Sequence, residues 1–239
     1  MGEQPNFTDL SQPFTCVGVY ESTPAEVISV IKESEHKGAE SFVVTLMGDG
    51  TFGLREEYLN EEDLAQIFNC TGKPVMAIYY RWNFAGETID IADEERQDIL
   101  RMASRAGADA VDYVGDTYDP TSGPELFSEA AAEYSLASDG PPQETAPPRD
   151  SGAWERQQAE IEAFQEMGTE VQTSTHARVH LDPQEALEIA RDFDDLGADM
   201  VKLVSVDRSW EDLLDTFQAC VLMDRHLDAD FIMMSHGEH

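Results

Sequence analysis

The sequence predicts an α/β protein of the (β/α)8, TIM-type barrel class, with the eighth strand missing from its 239 residues. Three observations carry this expectation. Strand-like and helix-like patterns alternate along the chain. Four junctions, GAESFVV, GADAVDYV, GTEVQTS and GADMVKLV, repeat one form: Gly, a small residue, an acidic residue, then an apolar run. Such a glycine stops a helix in the left-handed conformation that other residues resist. The strands are also mostly apolar on both faces, as parallel strands covered by helices are. Repeated βα units imply parallel strands joined by right-handed crossovers.

Taken in order, the first strand is FTCVGVY at 14–20. Thr23-Pro24-Ala25-Glu26 then opens a helix, with Thr as N-cap, Pro at N1 and Glu at N3. That helix runs to Gly38, and SFVVTLMG at 41–48 is the second strand. Asn60 caps a helix to Asn69; PVMAIYYR at 74–81 is the third strand, and a helix follows over 93–106. AVDYVGD at 110–116 is the fourth strand. The rhythm resumes at a helix over 154–167 and a fifth strand, EVQTSTH, at 170–176. Asp182-Pro183-Gln184-Glu185 opens a helix to 196, and MVKLVSV at 200–206 is the sixth strand. Ser209 and Asp212 start a helix to about 227, and FIMMSHG at 231–237 is the seventh strand. The whole of 1–239 is expected to form one βα-barrel domain.

The stretch 117–152 breaks the pattern. Its centre, ASDGPPQETAPPRDSG, is rich in Pro, Gly and Ser, so 117–152 is expected to be a flexible insertion. A doubly wound open sheet is the structural alternative. No GxGxxG follows the first strand, so the dinucleotide fingerprint of that alternative is absent.

Composition narrows the function. Net charge is −34, from 49 acidic and 15 basic residues. Such a surface repels nucleic acid and anionic membranes, so neither is an expected partner. The apolar periodicity excludes a disordered acidic chain. What remains is a folded, salt-adapted (halophilic) protein, because molar salt shortens the Debye length to about 3 Å and makes self-repulsion tolerable. No apolar run approaches the ~18 residues of a membrane span, and MGEQPNFTDLSQPF lacks the pattern of a signal peptide. A cytoplasmic protein is expected. Cys16, Cys70 and Cys220 are odd in number, widely spaced and form no CxxC, which speaks against a disulfide framework or a zinc knuckle.

Barrel active sites are built at the C-terminal ends of the strands. Arg81, Asp116 and His176 end the third, fourth and fifth strands, Lys202 lies within the sixth, and His236 is near the end of the seventh. Lys202 stands out, since the chain has only four lysines and this one interrupts an apolar strand. Burying a cation between sheet and helices is costly, so the side chain is expected to point inward. Desolvation there would favour a neutral amine, a nucleophile able to condense with a ketone or aldehyde. The competing reading is a lysine paired with a carboxylate. His176, one strand earlier, is a candidate general acid/base or a hydrogen-bonded loop residue. Arg81 is a carboxylate clamp or an ion-pair partner. His180, Arg178 and Trp82 are less specific. His236 and His239 show no HxH or HExxH spacing, so no metal site is expected.

Three segments resemble type I 3-dehydroquinate dehydratase, the Schiff-base lyase of the shikimate pathway in aromatic amino acid biosynthesis. Ser174-Thr175-His176 with Asp182-Pro183 is similar to that family's histidine segment. GADMVKLVSV is similar to its imine-forming lysine strand, and PVMAIYYRWNFAGE followed by ADEERQDIL to its third strand with a substrate-binding arginine. Order and spacing agree for all three. The resemblance implies a (β/α)8 barrel and a hydro-lyase that uses no metal or organic cofactor. It implies that Lys202 forms the imine with a ketone substrate, His176 moves protons as general acid/base, and Arg81 binds substrate.

The sequence departs from the family in three places. Val43 and Thr45 stand where the family has a Glu-x-Arg pair. Phe84-Ala85-Gly86 stands where it has Glu-Gly-Gly, and no arginine follows Arg225. Two other readings therefore accompany the dehydratase: an imine-forming lyase or aldolase acting on another carbonyl substrate, and a non-catalytic barrel used for binding or assembly. An open barrel would expose two sheet edges, and a homodimer is among the arrangements that would cover them.

Overall fold

The computed structural model describes residues 5–47, 52–81, 89, 91–115, 117–119, 147–177 and 180–237. Seven strands form one sheet in the order β1-β2-β3-β4-β5-β6-β7. They are β1 (Cys16–Val19), β2 (Ser41–Thr45), β3 (Val75–Ile78), β4 (Ala110–Val114), β5 (Glu170–His176), β6 (Met200–Asp207) and β7 (Asp230–Gly237). The pairings of β1 with β2, β2 with β3, β3 with β4, β5 with β6 and β6 with β7 are all parallel. Spatial order follows sequence order throughout. A doubly wound sheet reverses its order at a switch point; this sheet has none, so the open-sheet alternative falls and the barrel-type order stands.

The chain divides into two compact units. The first comprises Met1–Asp112 with Phe164–Glu170. It holds β1 to β3 with α1 (Pro24–His36), α2 (Glu61–Phe68) and α3 (Asp93–Arg105). Thr23 accepts the amide of Glu26 in front of Pro24, and Asn60 accepts that of Asp63 at 3.0 Å, so both expected N-caps form. Val27 and Ile31 of α1, Leu64 and Ile67 of α2, and Leu100 of α3 are fully buried, as are Phe42 and Val44 of β2. Strands β1 to β3 are shorter than the sequence suggests, because their ends pass into loops once pairing stops.

The second unit comprises Tyr113–Ala163 and Val171–His239. Its complete elements are α5 (Pro183–Asp195), β6, α6 (Trp210–His226) and β7; α4 (Ser151–Glu166) lies largely within it. Both expected capping boxes form, Asp182 with Glu185 and Ser209 with Asp212. Helix α4 starts three residues before the expected 154, since Asp150 accepts the amide of Ala153 at 2.9 Å and supplies a cap. That start lies inside the expected insertion. Of 117–152, the residues 120–146 lie outside the described residues.

The repeated junctions have a physical basis on both sides. Gly38, Gly107, Gly168 and Gly197 all have positive φ, between 82° and 105°. The acidic residue two places later reaches back to a backbone amide. Glu40 accepts from Thr15 at 3.0 Å, Asp109 from Val75 at 2.8 Å, Asp199 from Val171 at 2.8 Å and Glu170 from Phe7 at 2.7 Å. In the first three cases the amide lies at the start of the preceding strand. For Glu170 it belongs to the segment leading into β1, where Phe7 is buried. The acidic residue of the repeat is thus a clasp between neighbours and not surface decoration.

Candidate functional site

The orientation of β6 fixes where Lys202 points. Leu203, Ser205 and Asp207 alternate onto one face with Val201, and all four are fully buried. Asp207 accepts the hydroxyl of Thr216, on α6, with both carboxylate oxygens at 3.0 and 3.1 Å. That face therefore meets the helices. Lys202 lies on the opposite face with Met200, Val204 and Val206. The lysine is partly exposed in a strand whose other residues are all buried. The inward direction agrees with the expectation, whereas the desolvation is only partial.

His176 ends β5 and shares this face. In register, Ser174 pairs with Lys202 and His176 with Val204. His176 is thus the diagonal neighbour of Lys202, one strand over and two residues toward the C-terminal end. Strand spacing and rise place their Cα atoms about 8 Å apart. Gln172 and Ser174, both buried, line the same face of β5. Buried Gln172, Ser174, Met200 and Val204 thus flank a histidine and a lysine that both keep access to solvent.

Arg81 belongs to the first unit and follows β3. Its Nε and Nη2 donate to the two carboxylate oxygens of Asp93, each at 2.8 Å. The guanidinium fork thus already holds an internal carboxylate bidentately. Asp93 also accepts from Arg96 at 3.1 Å, and that arginine is completely buried and reaches the carbonyl of Tyr79. Of the two readings weighed for Arg81, the ion pair is the arrangement present.

Two polar groupings escaped sequence reasoning. In the first unit, the Tyr80 hydroxyl donates to Asp112 at 2.7 Å, and both residues are buried. Burial, then the adjacent carboxylate, pushes the phenol well above its ordinary value. The signal was available, since Asp112 interrupts an apolar strand as Lys202 does. In the second unit, the ring of His180 stands 3.6 Å from Asp207 and 3.4 Å from Asp215. His180 lies on the loop after β5.

Trp82, Phe84-Ala85-Gly86, Asp116, Arg178 and His239 lie outside the described residues, as does the side chain of His236. Val43 of β2 is partly exposed and Thr45 is buried. Cys16, Cys70 and Cys220 form no disulfide with one another; Cys16 is exposed and the other two partly so. Among the described residues, no three His, Cys, Asp or Glu side chains group as metal ligands, and no helix is long and apolar enough to cross a membrane.

No protein-family model matches the sequence, and no curated protein matches it. Solved structures match its fold. The 3-dehydroquinate dehydratase of Geobacillus kaustophilus HTA426 superposes with a TM-score of 0.70 at 16% identity, over 98% of this chain and 79% of that one. That of Enterococcus faecalis gives 0.67 at 12%, over 98% and 85%. The type I enzyme of Clostridium difficile, solved with covalently modified comenic acid, gives 0.65 at 15%, over 95% and 76%. At such identities the likeness is one of fold, and it establishes the TIM-type class.

Proposed function

We propose that this chain is an imine-forming lyase in which Lys202 is the nucleophilic amine and His176 the general acid/base. The observation that carries the reading is their placement on one face of adjacent parallel strands as diagonal neighbours, with His176 at the C-terminal end of β5 and Lys202 the third residue of β6. The Lys202 amine adds to a ketone carbonyl, and the carbinolamine loses water to give an iminium ion. That cation acidifies the neighbouring C–H bond. His176 removes the proton there, and a hydroxyl on the next carbon departs with a proton as water. Hydrolysis of the imine frees the product ketone and restores the amine. The net change is the loss of one water from the substrate.

For the substrate we propose 3-dehydroquinate, dehydrated to 3-dehydroshikimate. The three matching sequence segments and the barrel-type strand order support that choice. A substrate contact by Arg81 is a separate part of the proposal, and its test is a raised KM at unchanged kcat in Arg81→Lys. A second reading, a different hydroxy-ketone, is favoured by Val43 and Thr45, which are uncharged where the resembled family has a Glu-x-Arg pair.

Borohydride reduction in the presence of 3-dehydroquinate tests the proposal. The expected result is a covalent adduct at Lys202 in peptide mass mapping, with a mass gain equal to the ketone less one oxygen atom. Absence of any adduct at Lys202, with this or related ketones, rejects the imine mechanism. An adduct without dehydration rejects only the substrate and favours the second reading.

A further inference from the structure

We propose that Ser174 is a further catalytic residue, the hydroxyl that moves the proton when the carbinolamine on Lys202 forms and breaks down. This deepens the imine-forming reading and rests on it. That reading leaves one step without an attendant. Loss of water from a carbinolamine needs a proton delivered to the leaving hydroxyl, close to the lysine nitrogen, and hydrolysis of the imine needs the reverse. His176 is diagonal to the lysine and serves the C–H proton on the neighbouring carbon.

The register of the sheet limits the candidates. Ser174 on β5 stands directly opposite Lys202 on one side, and Ile232 on β7 stands opposite on the other. Adjacent strands lie about 4.8 Å apart, so these two flank the lysine most closely within the sheet. One row toward the C-terminal ends, the flanking residues are His176 and Met234; one row the other way, they are Gln172 and Asp230. The side chains of Ile232 and Met234 carry no exchangeable proton. Gln172 and Asp230 lie away from His176, toward the end of the strands opposite to the one where barrel chemistry is done. Lys202 thus has a proton-bearing side toward β5 and an apolar side toward β7, and Ser174 is the hydroxyl of that proton-bearing side.

Burial suits the role. Ser174 is fully buried, whereas Lys202 opposite it is partly exposed. A carbonyl added to the amine therefore sits between the serine and solvent. A hydroxyl is donor and acceptor at once, so it can pass on a proton without ionising. The Ser174 Oγ gives its proton to the carbinolamine hydroxyl as the C–O bond breaks. The nitrogen lone pair closes the C=N bond, water departs, and Oγ takes a replacement proton from solvent. The iminium ion holds that charge until hydrolysis runs the same steps backward and returns the proton. The competing role for Ser174 is that of a small residue leaving room for the lysine stem, and alanine would fill that role equally well.

The test follows 3-dehydroquinate with the wild type, Ser174→Ala and Ser174→Thr. Two rates are read: formation of the borohydride-reduced adduct at Lys202, and exchange of the ketone oxygen with heavy-oxygen water, with Lys202→Met as the background. Both report the carbinolamine steps, and neither needs the C–H proton to move. Ser174→Ala should slow both by about tenfold or more, with unchanged circular dichroism. Ser174→Thr, which keeps a hydroxyl, should restore most of the rate. His176→Ala should leave oxygen exchange close to wild type while dehydration fails. Wild-type rates in Ser174→Ala would overturn the serine's role and leave the imine reading standing. Equal losses in the alanine and threonine variants would reduce Ser174 to a packing residue. A wild type that gives no Lys202 adduct and no exchange above background would overturn both.

Discussion

Ser174 on β5 stands opposite Lys202 on β6 in parallel register, which puts His176 on the lysine's own face and diagonal to it. This relationship separates the two roles experimentally. Lys202→Met should abolish both the borohydride adduct and turnover. His176→Ala should leave adduct formation intact and slow turnover by roughly 10²–10⁴-fold, the usual worth of a positioned acid/base. Equal loss of adduct in both variants would show that the histidine shapes the pocket and does not move the proton.

The Asp93 carboxylate holds two guanidinium groups, one of them fully buried. Removing one partner of a buried ion pair leaves an uncompensated charge. Asp93→Ala should therefore destabilise the protein by about 3 kcal/mol or more in urea denaturation. Arg81→Lys loses only the bidentate geometry and should cost less. If the two substitutions cost the same, the buried Arg96 does not depend on Asp93.

Asp212 connects stability to pH. Its slight burial alone would raise the carboxyl, but the amide of Arg208, the hydroxyl of Ser209, the charge of His180 and the amide of Ser209 together bring it below its ordinary value. An acid depressed in the folded state adds stability above its unfolded pKa, and that stability is lost as pH falls through the folded pKa. Asp212→Asn should thus lower the urea midpoint at pH 7. The difference from wild type should close as pH drops below about 4. Ser209→Ala, which removes the other half of the box, should cost about 1 kcal/mol at neutral pH. A constant difference across the whole range would remove Asp212's charge from the explanation.

The excess of acidic residues gives a prediction about salt. Adding NaCl from low to molar concentration should raise the melting temperature, since screening relieves repulsion among exposed carboxylates. A melting temperature that is flat or falling with salt would contradict the reading of an acidic coat adapted to high ionic strength.

Much of the architecture could be read directly, for local reasons. Thr23, Asn60, Asp182 and Ser209 each satisfy a helix-end amide within three residues, so short sequence windows sufficed. The inward side of Lys202 followed from period two and the cost of burying a cation. Interactions between distant segments were harder. Nothing near Arg81 in sequence announces that Asp93 will occupy its fork, 12 residues on. The Tyr80–Asp112 pair spans 32 residues, and the ring of His180 meets Asp207 across a loop. Periodicity assigns a face, but it does not name the partner across the strand.

The clasps formed by Glu40, Asp109 and Asp199 each join one strand only to the strand before it. Each of these three junctions therefore carries its own fastening, whereas Glu170 reaches the distant segment that leads into β1. Stability in such an arrangement accumulates between nearest neighbours, as it does in repeat proteins. A lineage built this way can gain or lose whole units by duplication or deletion without refitting the remainder, because each newcomer brings the glycine that ends its helix and the carboxylate that grips its predecessor.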